Sequence, residues 1–99
     1  MKPDNVLFEV PNAKDPGYDL DKVRVKLTDF GFATFYNEDK STMKLGLGSE
    51  RYMAPELYKF KKHSFKVDIW ALGVMTYYLL AGTHIWPANN REELKHMIL

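Results

Sequence analysis

Three polar side chains have the donor types and charges that can bind a metal ion or a phosphate group. Lys2 carries an ammonium, Asn5 a carboxamide and Asp29 a carboxylate. Carboxylate and carboxamide oxygens are hard ligands of the kind that magnesium prefers, and an ammonium can pair with phosphate as a point charge. Taken singly, each residue also has an ordinary structural explanation, as a solvated lysine, a turn asparagine or a capping aspartate. The surrounding motifs decide between these explanations.

Four short motifs occur along the chain, and each is weak evidence alone, since Asp-Phe-Gly can simply be a turn after a strand. They are Lys2-Pro3-Asp4-Asn5, Asp29-Phe30-Gly31, Gly48-Ser49-Glu50-Arg51-Tyr52-Met53-Ala54-Pro55-Glu56 and Asp68-Ile69-Trp70-Ala71-Leu72-Gly73. Their order, spacing and predicted element types together resemble the eukaryotic protein kinase catalytic domain. There they match the end of the catalytic loop, the metal-binding triplet, the end of the activation segment and the start of the central helix.

The resemblance covers almost the whole chain and implies one partial protein kinase domain over residues 1–99. The implied fold is α+β, a partial and mainly α-helical C-terminal lobe of a protein-kinase-like fold with a small β-hairpin. The implied activity is that of a protein serine/threonine kinase, which transfers the γ-phosphate of ATP to serine or threonine hydroxyls of protein substrates. Phe32-Ala33 and residues 82–87 resemble the calcium/calmodulin-dependent and related kinases.

The resemblance also implies roles for individual residues, with ATP and Mg²⁺ as cofactors. Asp29 would supply a carboxylate to the Mg²⁺ that bridges the phosphates, and Asn5 an amide oxygen to a second Mg²⁺. Lys2 would place its ammonium on the transferring phosphate and the target hydroxyl. Leu7 would lie beneath the adenine ring, supported by Met75 and Leu79 from the central helix.

Two residues point to the serine/threonine branch of the family. Lys2 stands where tyrosine kinases usually have alanine or arginine-containing variants. Ser49 lies in the loop that receives the substrate residue beside the target hydroxyl. In the long segment before it, Thr42 and Ser41 are candidates for regulatory phosphorylation, with Thr42 first, and solvated hydroxyls without regulation are an equally good explanation.

The family's catalytic aspartate would fall immediately before Met1, and the upper lobe has no counterpart in the sequence. We therefore expect the chain of 99 residues to lack phosphotransfer activity by itself. The alternative is a pseudokinase or a non-catalytic protein-docking module. Lys2, Asn5 and Asp29 favour the enzyme, because a chain freed from catalysis has no physical need for all three.

Composition limits the other classes of protein to consider. Hydrophobic residues make up 45% and charged residues 27%, as in soluble globular domains, and the absence of cysteine excludes disulfides and thiolate sites. The net charge of +1 gives no general attraction to nucleic acid or anionic membrane. The longest uncharged run, residues 69–82, is shorter than the about 20 residues that span a bilayer. We expect an intracellular, cytoplasmic protein whose partners are ATP and protein substrates, with neither nucleic acid nor membrane among them.

The elements that must position the site begin with a predicted hairpin. Strands are expected at residues 6–10 and 23–27, the second from the alternation of Val23, Val25 and Leu27 with charged residues, which is typical of a half-exposed strand. A loop should join them over residues 11–22, and a long mobile loop should occupy residues 31–49.

Three helices are expected after this loop. The first spans residues 56–60 with Pro55 in its first turn, and the second spans residues 65–81 between a Ser64 cap and Gly82. The third begins near Asn90, with Glu93 completing a capping box. The basic run at residues 59–63 should be a solvated loop between helices.

The apolar patterns of the two longer helices make further predictions. Apolar residues occur all round the central helix, so we expect it to be buried on every side by more protein than this chain supplies. In the chain itself, Trp70, Met75 and Leu79 should then face water. On the last helix, Leu94, Met97 and Ile98 should form one apolar face.

Overall fold

A computed structural model describes residues 1–9, 19–36, 48–59 and 62–99. These ranges contain a two-stranded antiparallel sheet and three α-helices, as the α+β prediction requires. The elements are β1 (Val6–Glu9), β2 (Arg24–Leu27), α1 (Pro55–Tyr58), α2 (Lys66–Ala81) and α3 (Arg91–Ile98). Short 3-10 turns precede β1, β2 and α1 at Pro3–Asn5, Leu20–Lys22 and Glu50–Tyr52.

The two strands form the predicted hairpin ribbon. Val6 pairs with Leu27 and Glu9 with Arg24, and Lys26 Nζ lies 2.9 Å from Glu9 Oε1 across the strands. The prediction that the second strand is only half-exposed is wrong for this chain, because every residue of β2 is exposed. The alternation of Val25 with charged residues sorts the side chains onto two faces, but no described element covers the apolar one.

The ends of α2 follow local sequence signals. Gly82 stops the helix in the left-handed conformation, with φ of 67°, and its N–H donates to the Tyr78 carbonyl at 2.9 Å. The predicted Ser64 cap needs correction, because Phe65 occupies the N-cap position. Ser64 still contributes, since its Oγ accepts a hydrogen bond from the Lys66 N–H at 3.3 Å.

The described residues bury α2 on one side only, so they do not supply the burial on every side that its apolar pattern predicts. Ala71, Val74 and Met75 are its buried residues, and their spacing places them on one side of the helix. The expectation for Met75 was therefore wrong, since it is only 6% exposed. Trp70 and Leu79, at 37% and 68% exposed, do face water as expected. The described elements cover one side of the helix and leave the others open.

Small apolar clusters hold the remaining helices together. One contains Met53, Ala54 and Leu57, and the other contains Ala88, Leu94 and Ile98; Tyr58 packs against both. The radius of gyration is 16.3 Å, against about 13 Å for a compact domain of this length. The chain is therefore flat, and its apolar contacts are divided among local clusters.

The last helix has a narrower apolar face than its sequence predicted. Leu94 and Ile98 are buried one turn apart, but Met97 is 42% exposed and points away from this cluster. The start at Asn90 is confirmed, because its Oδ1 accepts from the Glu93 N–H at 2.9 Å. Glu93 completes the cap through Asn89 rather than Asn90, accepting from the Asn89 N–H at 2.8 Å.

The basic run at residues 59–63 is only partly a solvated loop. Lys59 and Lys62 are exposed, whereas His63 is buried at 9% exposure, which corrects that prediction. Residues 60–61 lie outside the described residues, as do Val10 and the loop predicted after it, up to residue 18. Among the helices in the described ranges, none is long and apolar enough to cross a membrane.

Candidate active site

The hairpin ribbon brings two of the predicted metal-binding residues to the same end. The Thr28 N–H donates to the Asn5 carbonyl at 2.9 Å, which continues the β1–β2 ladder by one step. Asp29 therefore follows directly after the residue paired with Asn5. The register of the ribbon, and not closeness in sequence, places Asn5 and Asp29 at the same end of the ribbon.

Lys2 is held beside Asn5 by the turn that precedes β1. The Asn5 N–H donates to the Lys2 carbonyl at 3.1 Å and closes the 3-10 turn Pro3–Asn5. The Lys2 ammonium lies 3.7 Å from Asp4 Oδ2, and the Asp4 side chain is 78% exposed. An ion pair this open contributes little to stability, so the ammonium stays available to a phosphate.

Asp29 has an unusual backbone conformation. Its φ is 61°, in the left-handed region that non-glycine residues seldom adopt and that aspartate tolerates better than most. Its Oδ1 accepts a hydrogen bond from the Gly31 N–H at 3.2 Å, which turns the chain sharply after β2. A Cβ at Gly31 would lie 3.2 Å from the same oxygen, a tight contact, so glycine suits this position.

The donor set at this end of the ribbon matches what magnesium requires of a protein. Asp29 offers a carboxylate, Asn5 a carboxamide, and both side chains are at least partly accessible. Within the described ranges, no group of three or more His, Cys, Asp or Glu side chains forms a dense metal cluster. Mg²⁺ is commonly held by one or two protein oxygens together with phosphate oxygens and water. The residues therefore fit the metal, which would take its remaining ligands from phosphate oxygens and water.

The other predicted nucleotide and regulatory residues are less sharply defined. Leu7 is 51% exposed on the ribbon, paired with Lys26 across the strands. Its support by Met75 and Leu79 stays a prediction. Thr42 and Ser41 lie outside the described residues.

Ser49 lies on a separate feature, an open groove between the segment before α1 and the start of α3. Gly48 precedes it with φ of 136°, and the Ser49 hydroxyl makes no capping hydrogen bond to the following turn. Ser49 is exposed, so its hydroxyl can reach a ligand in the groove. The groove has a volume of about 580 Å³ and is lined by Gly48, Ser49, Glu50, Arg51, Tyr52, Asn89, Asn90, Arg91 and Leu94.

Polar contacts that the sequence did not predict tie the two walls of this groove together. Arg51 donates to the carbonyls of Trp86 and Ala88, both at 2.9 Å. Arg91 Nε forms an ion pair with the Glu50 carboxylate. Only the position of Arg51 inside a recognised motif marked it beforehand, since its partners are backbone atoms distant in sequence.

Tyr58 forms a hydrogen bond to the segment of the groove that contains Glu50. Its hydroxyl donates to the Glu50 carbonyl at 2.7 Å. Burial raises the pKa of Tyr58, and the Glu50 carboxylate raises it further, against the opposing effect of Arg91 and Arg51. Tyr58 is therefore a hydrogen-bond donor at neutral pH.

A second groove lies along the first half of α2. Its lining is mostly apolar, its volume is about 690 Å³, and the indole rings of Trp70 and Trp86 stack beside it at a centroid distance of 6.0 Å. Glu56 is the carboxylate at its edge. Trp86, which lines this second groove, is also the residue whose carbonyl accepts a hydrogen bond from Arg51.

Known proteins resemble this chain along its whole length. The protein kinase domain model matches residues 1–99. The chain is 39% identical over 98 residues to calcium-dependent protein kinase 6 of Plasmodium berghei, covering 99% of the chain and 6% of that protein. It is 39% identical over 100 residues to calcium/calmodulin-dependent protein kinase type I of Schizosaccharomyces pombe, covering 100% of the chain and 28% of that protein.

A human relative matches the chain at a similar identity and over a similar length. Serine/threonine-protein kinase H1 of Homo sapiens is 38% identical over 100 residues, with 100% of the chain and 22% of that protein covered. The chain thus spans between 6% and 28% of the length of these relatives. With the family model matched from end to end, the chain belongs to the protein kinase domain family.

Proposed function

We propose that this chain forms part of the C-terminal lobe of a catalytic domain that transfers the γ-phosphate of ATP to serine or threonine hydroxyls of protein substrates. The observation that carries the proposal is the ribbon register, which aligns Asn5 with Thr28 and so brings Asn5 and Asp29 to one end of the ribbon. That end of the ribbon offers hard oxygen ligands suited to Mg²⁺ beside an accessible ammonium.

The proposed roles follow from the chemistry of phosphoryl transfer, which depends mainly on positioning and on neutralising charge. Asp29 and Asn5 would hold Mg²⁺, and the metal, when bound, would neutralise charge on the phosphate oxygens. Lys2 would pair with the transferring phosphate through its ammonium. Leu7 would pack against the adenine ring from the exposed face of β1.

The substrate side of the proposal rests on the groove at Ser49. The groove is open and several of its lining residues have hydrogen-bonding side chains, which suits an extended polypeptide that needs partners for its backbone. The names of several relatives, among them serine/threonine-protein kinase H1 of Homo sapiens, support hydroxyl groups of serine or threonine as the acceptors.

A chimera tests this function directly. Residues 1–99 would replace the matched region of the calcium/calmodulin-dependent protein kinase type I of Schizosaccharomyces pombe, and we call this protein the grafted kinase. With ATP and Mg²⁺, we expect it to phosphorylate a serine peptide accepted by the parent enzyme, and its threonine version, but not the tyrosine version.

Two outcomes of this experiment speak against the proposal. A folded grafted kinase without phosphotransfer would favour the alternative of a pseudokinase or docking module. Equal activity on the tyrosine peptide would contradict the serine/threonine assignment. Removal of Mg²⁺ by a chelator should abolish activity, and adding the metal back should restore it.

A further inference from the structure

The guanidinium of Arg51 connects two segments that are distant in sequence. Nη1 donates to the Trp86 carbonyl and Nη2 to the Ala88 carbonyl, each at 2.9 Å. These bonds are partly buried, and the planar fork of arginine presents both donors in a fixed geometry. A lysine at this position could not offer the same pair of directions.

The anchored segment leads into α3. Ala88 is buried and packs in one cluster with Leu94 and Ile98 of that helix. A constraint on the Ala88 carbonyl is therefore passed to the position of α3 through packed side chains. The first turn of α3 contributes Arg91 and Leu94 to the groove, opposite Ser49.

We propose that Arg51 is a positioning residue for the protein substrate: it holds α3 against the segment 48–52 and so fixes the width of the groove. The inference rests on the proposed function, because it assumes that the groove binds the substrate. The ion pair between Arg91 and Glu50 crosses the same groove, but the Arg91 side chain is 74% exposed. Exposed ion pairs hold structures weakly, so Arg51 is the stronger constraint.

The test compares Arg51→Gln and Arg51→Lys in the grafted kinase with the control Arg24→Gln, which changes an exposed arginine of β2 outside the groove. Loss of both hydrogen bonds should raise the peptide KM by about tenfold, with kcat and the KM for ATP changed less than about twofold. Arg51→Lys should give an intermediate KM, since lysine keeps the charge and one donor direction. Arg24→Gln should leave the peptide KM unchanged within about twofold, as expected for a surface substitution away from the groove.

Hydrogen exchange of the amides in α3 provides a readout that needs no activity. We expect faster exchange over residues 91–98 in Arg51→Gln, a smaller effect in Arg51→Lys, and little change in Arg24→Gln. Exchange rates over α3 that are unchanged in Arg51→Gln would overturn the inference. So would an unchanged peptide KM, or a fall in kcat without a change in KM.

The outcomes separate this inference from the proposed function. An unsubstituted grafted kinase that folds but transfers no phosphate contradicts the function, whereas the exchange of α3 still decides whether Arg51 holds this helix. An active grafted kinase in which Arg51→Gln and Arg24→Gln behave alike keeps the function and removes the special role of Arg51.

Discussion

The backbone N–H of Thr28 donates a hydrogen bond to the carbonyl of Asn5 at 2.9 Å. This bond closes the end of the β1–β2 ribbon and sets Asn5 beside the residue that precedes Asp29. The two side chains that we assign to the metal thereby lie at the same end of one hydrogen-bonded ribbon. A site built on paired strands is held more closely than one on a loop.

Asn5→Ala should weaken metal binding in the grafted kinase. Removing the amide oxygen should raise the Mg²⁺ concentration needed for half-maximal activity by about tenfold or more. Asp4→Ala is the matched control, because Asp4 is a neighbouring, exposed carboxylate. Activity titrated against Mg²⁺ checks this, and equal Mg²⁺ requirements in the two variants would contradict the role of Asn5.

Asn90→Ala should loosen the start of α3. The side chain of Asn90 accepts from the Glu93 N–H, and loss of such a cap typically costs about 1 kcal/mol. The amides of α3 should then exchange about fivefold faster in the grafted kinase. Asn90→Asp keeps an acceptor at the helix N-terminus and should exchange at the original rate. Identical exchange in all three proteins would show that this cap does not hold the helix.

We predict that ionisation of Tyr58 lowers the stability of the folded protein at alkaline pH. Burial raises its pKa above the usual 10.0, so the unfolded chain releases this proton at lower pH than the folded chain. The stabilisation is fully present below pH 10.0 and is lost as pH rises through the higher pKa of the folded state. The difference in tyrosinate absorbance between the grafted kinase and its Tyr58→Phe variant isolates this titration. A difference titration with its midpoint at or below 10.0 would contradict the shift.

The isolated polypeptide should self-associate. Ile69, Leu79 and Leu80 of α2 are 64%, 68% and 84% exposed. Each large apolar side chain left in water forgoes about 1.5–3 kcal/mol, and a whole domain is stable by only about 5–15 kcal/mol. Light scattering should detect aggregates that bind a hydrophobic dye, and Leu80→Lys should reduce both signals. A monodisperse monomer with one cooperative unfolding transition would rule this out.

Local sequence signals predicted the ends of elements well. Gly82 stops α2 through its backbone N–H and Asn90 starts α3 through its side-chain Oδ1, and each hydrogen bond lies within a single turn. The hairpin was predicted from alternation, which reflects the geometry of one strand. Such features depend on neighbours in sequence, so a sequence pattern can contain them.

Features that depend on tertiary neighbours were not predicted. The burial of Met75 and the exposure of Met97 depend on which side of each helix is covered. The bonds from Arg51 end on backbone carbonyls, which every residue offers, so no residue type identifies the partners. The positive φ of Asp29 likewise appears only in the backbone of the folded chain.

Asp29→Asn in the grafted kinase tests the central claim most directly. Asparagine keeps the shape of the side chain and also tolerates a positive φ, so the substitution removes chiefly the charge. We expect kcat to fall by about a hundredfold or more, as when comparable electrostatic groups are removed, with a smaller change in ATP binding. Steady-state phosphotransfer measures both, with Asp4→Asn as the control that retains activity. An Asp29→Asn variant that keeps more than about a tenth of the original kcat would contradict the account.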